Sequence, residues 1–105
     1  MATGRLGTAD VTAATDTTVY TVPAATYAVA TITIVNRGTV PSNIDIALAD
    51  TSTPGNDEYI EYNTELLAKT VIERTGIVLD AGKLIVVRSS ASSVNAVVVG
   101  IETAA

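Results

Sequence analysis

The groups able to do chemistry in this chain are few, and carboxylates supply most of them. Asp50, Asp57 and Glu58 flank one polar loop and could bring oxygen ligands to a calcium ion. The stretch lacks the alternating ligands and central glycine of an EF-hand loop, so a solvated acidic loop is the plainer reading. Glu58, Glu61 and Glu65 could supply the paired carboxylates of glycoside hydrolysis, yet nothing near them indicates a deep cleft, and acids spaced along a half-buried strand are ordinary surface. Ser89, Ser90, Ser92 and Ser93 offer no nucleophile, because the chain contains no His to take a proton and no Gly-x-Ser-x-Gly elbow; they read as turn residues. The seven glycines are spread from Gly4 to Gly100 and form no phosphate cradle. No Cys is present, which excludes disulfides and thiolate metal sites and fits folding in a reducing compartment. Catalytic residues, metal ligands and cofactors are therefore all expected to be none.

What remains is contact chemistry. Trp and Phe are absent, so the four tyrosines Tyr20, Tyr27, Tyr59 and Tyr62 are the available aromatic surfaces, each with apolar area and a hydroxyl. On a regular strand Tyr59 and Tyr62 would face opposite ways, so at most one of them would join any given patch. A formal charge of −5, with only six scattered basic residues, disfavours binding to a phosphate backbone. No window holds the ~18 apolar residues of a membrane helix, and Met1 to Gly7 lacks the charged end and apolar run of a signal peptide. The expectation is a soluble protein with neither nucleic acid nor membrane as partner.

These side chains must be positioned by strands. Tyr27 to Asn36 alternates Ala28, Ala30, Ile32 and Ile34 on one side with Val29, Thr31, Thr33 and Val35 on the other, without a charge, as the middle strand of a sheet would. Thr17 to Val22 is a short strand ended by Pro23. Asn43 to Ala49 places Ile44, Ile46 and Leu48 on a core side opposite a wet side, and its short link to the preceding strand suggests an antiparallel hairpin. Glu58 to Tyr62 is a further short strand. Asn63 to Arg74 is ambiguous. Asn63 could cap a helix with Glu65 and Lys69 four apart, but Thr70, Val71 and Ile72 are β-branched. A loop or one short helical turn near 64–69, then a strand from about Thr70, is the assignment. Asp80 to Lys83 reads as a tight hairpin turn with Gly82 in the left-handed position, Leu84 to Ser89 as a strand, and Val94 to Glu102 as a last strand apolar on both faces.

With 105 residues and 48% apolar content, one domain can bury its own core. Residues 1–16, whose sizeable anchors are Leu6 and Val11, read as an N-terminal arm or loosely paired edge segment that orders on a partner, and residues 17–105 as a single β-sandwich domain. Seven or eight short strands give an all-β, antiparallel two-sheet β-sandwich, jelly-roll or Ig-like, ahead of a small closed barrel.

At Met1-Ala-Thr-Gly-Arg-Leu-Gly, Thr18-Val-Tyr-Thr-Val-Pro, Ile34-Val-Asn-Arg-Gly, Glu58-Tyr-Ile-Glu-Tyr and Glu73-Arg-Thr-Gly-Ile-Val-Leu-Asp-Ala-Gly-Lys the sequence resembles small β-sandwich structural proteins of tailed bacteriophages, of cyanophage or marine phage type. The resemblance spans nearly the whole chain and rests on turns and strands, with no active-site residues to carry over. It implies a virion component made in the host cytoplasm: a capsid decoration, or cement, protein that binds and stabilises the phage head. Its partners would be the major capsid protein or another virion protein and, because Tyr27 to Asn36 and Val94 to Glu102 are apolar on both faces and need a cover, other copies of itself as a trimer. The alternatives are a tail, neck or fibre-associated module, and a carbohydrate-binding adhesin. A flat apolar face on the last strand would favour assembly, and a stacked aromatic cleft the adhesin. Leu6, Val11, Tyr20, Tyr59, Val97 and Val99 are the expected partner contacts.

Overall fold

The structure is a computed structural model and describes residues 2–105. Eight strands run through it: β1 Thr3–Val11, β2 Thr17–Thr21, β3 Thr26–Asn36, β4 Ser42–Ala49, β5 Tyr59–Leu66, β6 Val71–Leu79, β7 Leu84–Ser89 and β8 Val94–Ala104. They form two antiparallel sheets. The first has the order β1-β8-β3-β6 and the second β2-β7-β4-β5. The chain thus pairs β1 with β8, β2 with β7, β3 with β6 and β4 with β5, which is one long four-step hairpin rolled into two layers. That order is a jelly roll and decides between the two sandwich types expected.

Rolling the hairpin corrects two expected turns. β3 and β4 do not form a hairpin, because β3 already has β8 on one side and β6 on the other, and the link after Asn36 crosses to the second sheet. Asn36, almost wholly buried, fastens that crossing. Its Nδ2 donates to the carbonyls of Val40 at 2.9 Å and Leu66 at 3.1 Å, and its Oδ1 accepts the Gly38 N–H at 2.9 Å. Asp80 to Lys83 also crosses between sheets, and Gly82 does take a positive φ of 82° while donating its N–H to the Val22 carbonyl. Only β4 and β5 are consecutive strands paired within one sheet.

The expected helical turn is absent, since residues 64–66 belong to β5 and a turn with Lys69 at φ 62° leads into β6. The segment expected as an arm is likewise structured. β1 pairs with β8 from Thr3↔Ile101 to Val11↔Val94, and Val11 is inside the core. Leu6 and Val11 gain enough burial on β8 and β2 to hold an edge strand that composition alone understates.

The core lies between the sheets. Ile32, Ile34, Val94 and Val98 of the first sheet meet Ile44, Ile46, Ile85 and Val87 of the second, all of them fully buried. Each such side chain contributes about 1.5–3 kcal/mol relative to exposure. The central ladders are regular: β3 and β8 keep one register through eleven pairs, and β4 and β7 through six. Irregularity is confined to the four edge strands, each of which carries a bulge. In β2 the bulge turns consecutive Val19 and Tyr20 both inward. Bulges of this kind twist an edge away from further strand pairing.

Candidate interaction surfaces

The outer face of the first sheet is built by the other half of the alternation in β3 and β8. Register places Ile101, Val29 and Val78 side by side on β8, β3 and β6, with Val99 beside Thr31, Val97 beside Thr33, and Val71 beside Val35. Val29 is 44% exposed, Ile101 53% and Val78 65%, and Tyr27 and Val99 are exposed as well. The two central strands offer no charged group on this side between Tyr27 and Val97. Charges gather at its margins, as Arg5 and Asp10 on β1 and Glu73 on β6, with Asp10 bonded to Arg37 at 2.9 Å. The result is a contiguous field of Val, Ile and Thr open to water.

The outer face of the second sheet is different in kind. Two bulges in β5, opposite Ile44–Ala47, turn Ile60 toward the core and set Glu61 opposite Ile46, where it bonds Arg74 at 2.8 Å. Tyr59 and Tyr62 are therefore thrown to the same side, with ring centroids 4.9 Å apart and planes at 67°. This corrects the expectation that they face opposite ways: an extra residue in the strand breaks the period of two. Tyr59 and Leu84 pack over the cluster of Ala47, Ala49 and Val86, so the side of β4 expected to be wet is partly covered. Tyr62 is 69% exposed, and with Tyr59 and Asn56 it lines a hollow of about 380 Å³. Beside it Asn43, Asp45, Asn63, Arg88 and Ser90 line a polar hollow of about 230 Å³. Burial first, then the charges of Asp16 and Asp45, raise the pKa of Tyr59 above the ordinary tyrosine value.

Of the six expected contacts, the first sheet's outer face brings together Val97 and Val99, while Tyr59 lies on the opposite side of the molecule. Val11 and Tyr20 are core residues and Leu6 packs against that core, so the arm-like composition and the hydroxyl of Tyr20 misdirected those assignments. The Tyr20 hydroxyl instead donates to Glu102 across the two sheets. Burial and that bond raise the pKa of Tyr20, while the bonds from Tyr20 and the Ala2 N–H lower that of Glu102. Missed from the sequence were Val29, Val78 and Ile101, whose signal was present in the two-faced strands. Also missed was the Tyr59–Tyr62 pair, signalled by Asn63, which takes φ 53° within β5.

Three of the five acids considered for chemistry, Asp50, Glu58 and Glu61, have structural partners. Glu58 accepts the Gly55 N–H at 2.7 Å and the Asp50 N–H at 3.1 Å, tying the loop to itself. Asp50 and Asp80 each lie 3.4 Å from Lys83. Among the described residues no group of three or more carboxylates is placed to hold a metal ion, and no helix is long and apolar enough to cross a membrane. Ser42 Oγ pairs with Ser89 Oγ and with Ser90 Oγ, and Ser89 Oγ also donates to the Ala91 carbonyl, closing a turn. No family model, no curated protein and no solved structure matches the chain.

Proposed function

We propose that the chain is a non-enzymatic virion structural protein, a capsid decoration protein of the kind its sequence resembles. It assembles as a homotrimer through the outer face of the first sheet and braces the phage head by contact. The observation that carries this reading is that face: contiguous, apolar, and free of charge on its two central strands. Exposed fields of this sort with polar margins mark protein contacts. The edges support it from the other direction, because all four carry bulges, and charges such as Glu73, Arg74 and Asp10 stand on them. Association by strand addition is thereby disfavoured, and the face is left as the place to meet a neighbour.

A protein that binds only the assembled shell shifts the assembly equilibrium by mass action, which needs surface complementarity and no chemistry. Particles assembled without the chain should release their genome at lower temperature or under milder osmotic shock, and adding it back should restore resistance. The Ile101→Asp chain should fail to restore it. Particles that are equally robust without the chain but fail to attach to host cells would overturn this function and put the chain on the tail or fibre.

A further inference from the structure

The first sheet's outer face leaves the opposite side of the molecule without a role, and that side has the richer chemistry. Three features converge there. The first is the aromatic pair, in which the edge of one ring meets the face of the other and Tyr62 stays open to water above a hollow shared with Asn56. The second is the neighbouring polar hollow, where Asp45, Asn43, Asn63, Arg88 and Ser90 present carboxylate, amide, guanidinium and hydroxyl groups within one small concavity. The third is the local backbone: two bulges in β5 and a left-handed Asn63 on one short strand, irregularities that re-aim side chains and are enriched beside binding sites. The two hollows adjoin, because Asp45 stands two residues from Ala47 on the same side of β4, and Ala47 is the register partner of Tyr59. The charges of Asp45, Asp16 and Arg88 all reach Tyr59.

We propose that the outer face of the second sheet is a binding groove for a neutral saccharide, with Tyr62 and Tyr59 as the stacking surface and Asp45, Asn56, Asn63 and Arg88 as partners for its hydroxyls. A pyranose ring has one face of C–H groups and a rim of hydroxyls that both donate and accept. An exposed tyrosine face matches the first, and a mixed set of carboxylate, amide and guanidinium groups matches the second. Asp45 accepts the Asn63 N–H at 2.7 Å through one oxygen, which fixes the carboxylate and leaves its other oxygen for a ligand hydroxyl. Arg88 is held by Asp16 at 3.5 Å, so its positive charge is already balanced. The two acids Asp45 and Asp16 and the net charge of −5 disfavour sulfated or acidic glycans and nucleic acids as the ligand class. This groove is independent of the assembly face and does not rest on the reading given for it.

The test is amide-resolved NMR titration of the intact chain with four neutral trisaccharides, maltotriose, cellotriose, chitotriose and mannotriose. At least one should shift the amides of Asn56, Tyr59, Tyr62 and Asp45 while leaving Val29 and Ile101 unmoved. Tyr62→Ala should weaken that binding by about tenfold or more, as loss of one stacked ring does elsewhere. Because Tyr62 is exposed, the variant should unfold at the wild-type denaturant concentration, which separates lost binding from lost fold. Asp45→Asn should weaken binding without abolishing stacking. The proposal is overturned if none of the four shifts these amides, if the shifts fall on the opposite face, if Tyr62→Ala binds as wild type does, or if only a charged glycan binds.

Discussion

Gly100 provides the sharpest test of how closely the two central strands of the first sheet approach. A Cβ built there would lie 2.1 Å from the Val29 carbonyl oxygen, 2.8 Å from Ala30 Cα and 3.0 Å from the Val29 carbonyl carbon. All three are well short of the ~3.5 Å at which carbon atoms stop repelling, and all three atoms are backbone, so no rotamer change relieves them. Gly100→Ala must push β8 from β3 at the Gly100↔Ala30 pair, inside a ladder that otherwise runs unbroken from Thr26↔Ala104 to Asn36↔Val94. Overpacking costs about 1–3 kcal/mol and each weakened ladder bond about 0.5–1.5 kcal/mol, giving roughly 2–4 kcal/mol in all. A domain of this size is stable by only about 5–15 kcal/mol. Urea unfolding followed by far-ultraviolet circular dichroism should show the midpoint falling by about 1–2 M. Gly55→Ala is the control, since its nearest neighbour is the movable Asp57 carboxylate at 3.2 Å, and it should change stability by less than about 0.5 kcal/mol. A Gly100→Ala midpoint equal to wild type would refute the register and the close approach together.

Other outcomes follow from single contacts. Asn36→Ala leaves the Leu66 carbonyl without its side-chain donor inside the sandwich and should cost about 1–3 kcal/mol; a change under about 0.5 kcal/mol would show that the crossing does not depend on it. Deleting residues 2–12 removes β1 and takes Val11 from the core, so the truncated chain should lose at least about 2 kcal/mol, and an unchanged melting temperature would restore the arm reading. The folded-state pKa of Glu102 is depressed, so its contribution is present above the unfolded carboxylate value and is lost as pH falls through the folded one. That of Tyr20 is raised, so its contribution is full below the unfolded tyrosine value and is lost as pH rises beyond it. Tyr20→Phe should therefore flatten both the acid and the alkaline limb of the stability–pH profile, and limbs parallel to wild type would deny the bond.

The strands were legible because β-branched alternation is strong and local: the extents of β2, β3, β4 and β7 follow from it nearly to the residue. Their pairing was less so. Whether Arg37–Pro41 reverses within a sheet or crosses to the other depends on β8 and β6 already flanking β3, and β8 lies some sixty residues further along the chain. The edge strand β1 was hidden because its anchors are only Leu6 and Val11 among Gly, Thr and Ala, and its stability comes from the partner strand. The second sheet's outer groove was hidden by the bulges, since one extra residue reverses the side on which Tyr62 emerges and no period count foresees it. Asn63 in a strand-like run was the available clue, and it read equally well as a helix cap.

The assembly face is tested most directly by sedimentation velocity on the purified chain and on a double variant, Val29→Asp with Ile101→Asp, which sets two charges at the centre of that face. One chain weighs 10.7 kDa. The wild type should sediment at three times that mass and the double variant at the single-chain mass, with the unfolding midpoint of the variant showing that its core is intact. A wild-type chain that stays at the single-chain mass at high concentration, alone and with its particle partner, would contradict the account, as would a double variant that keeps the trimer.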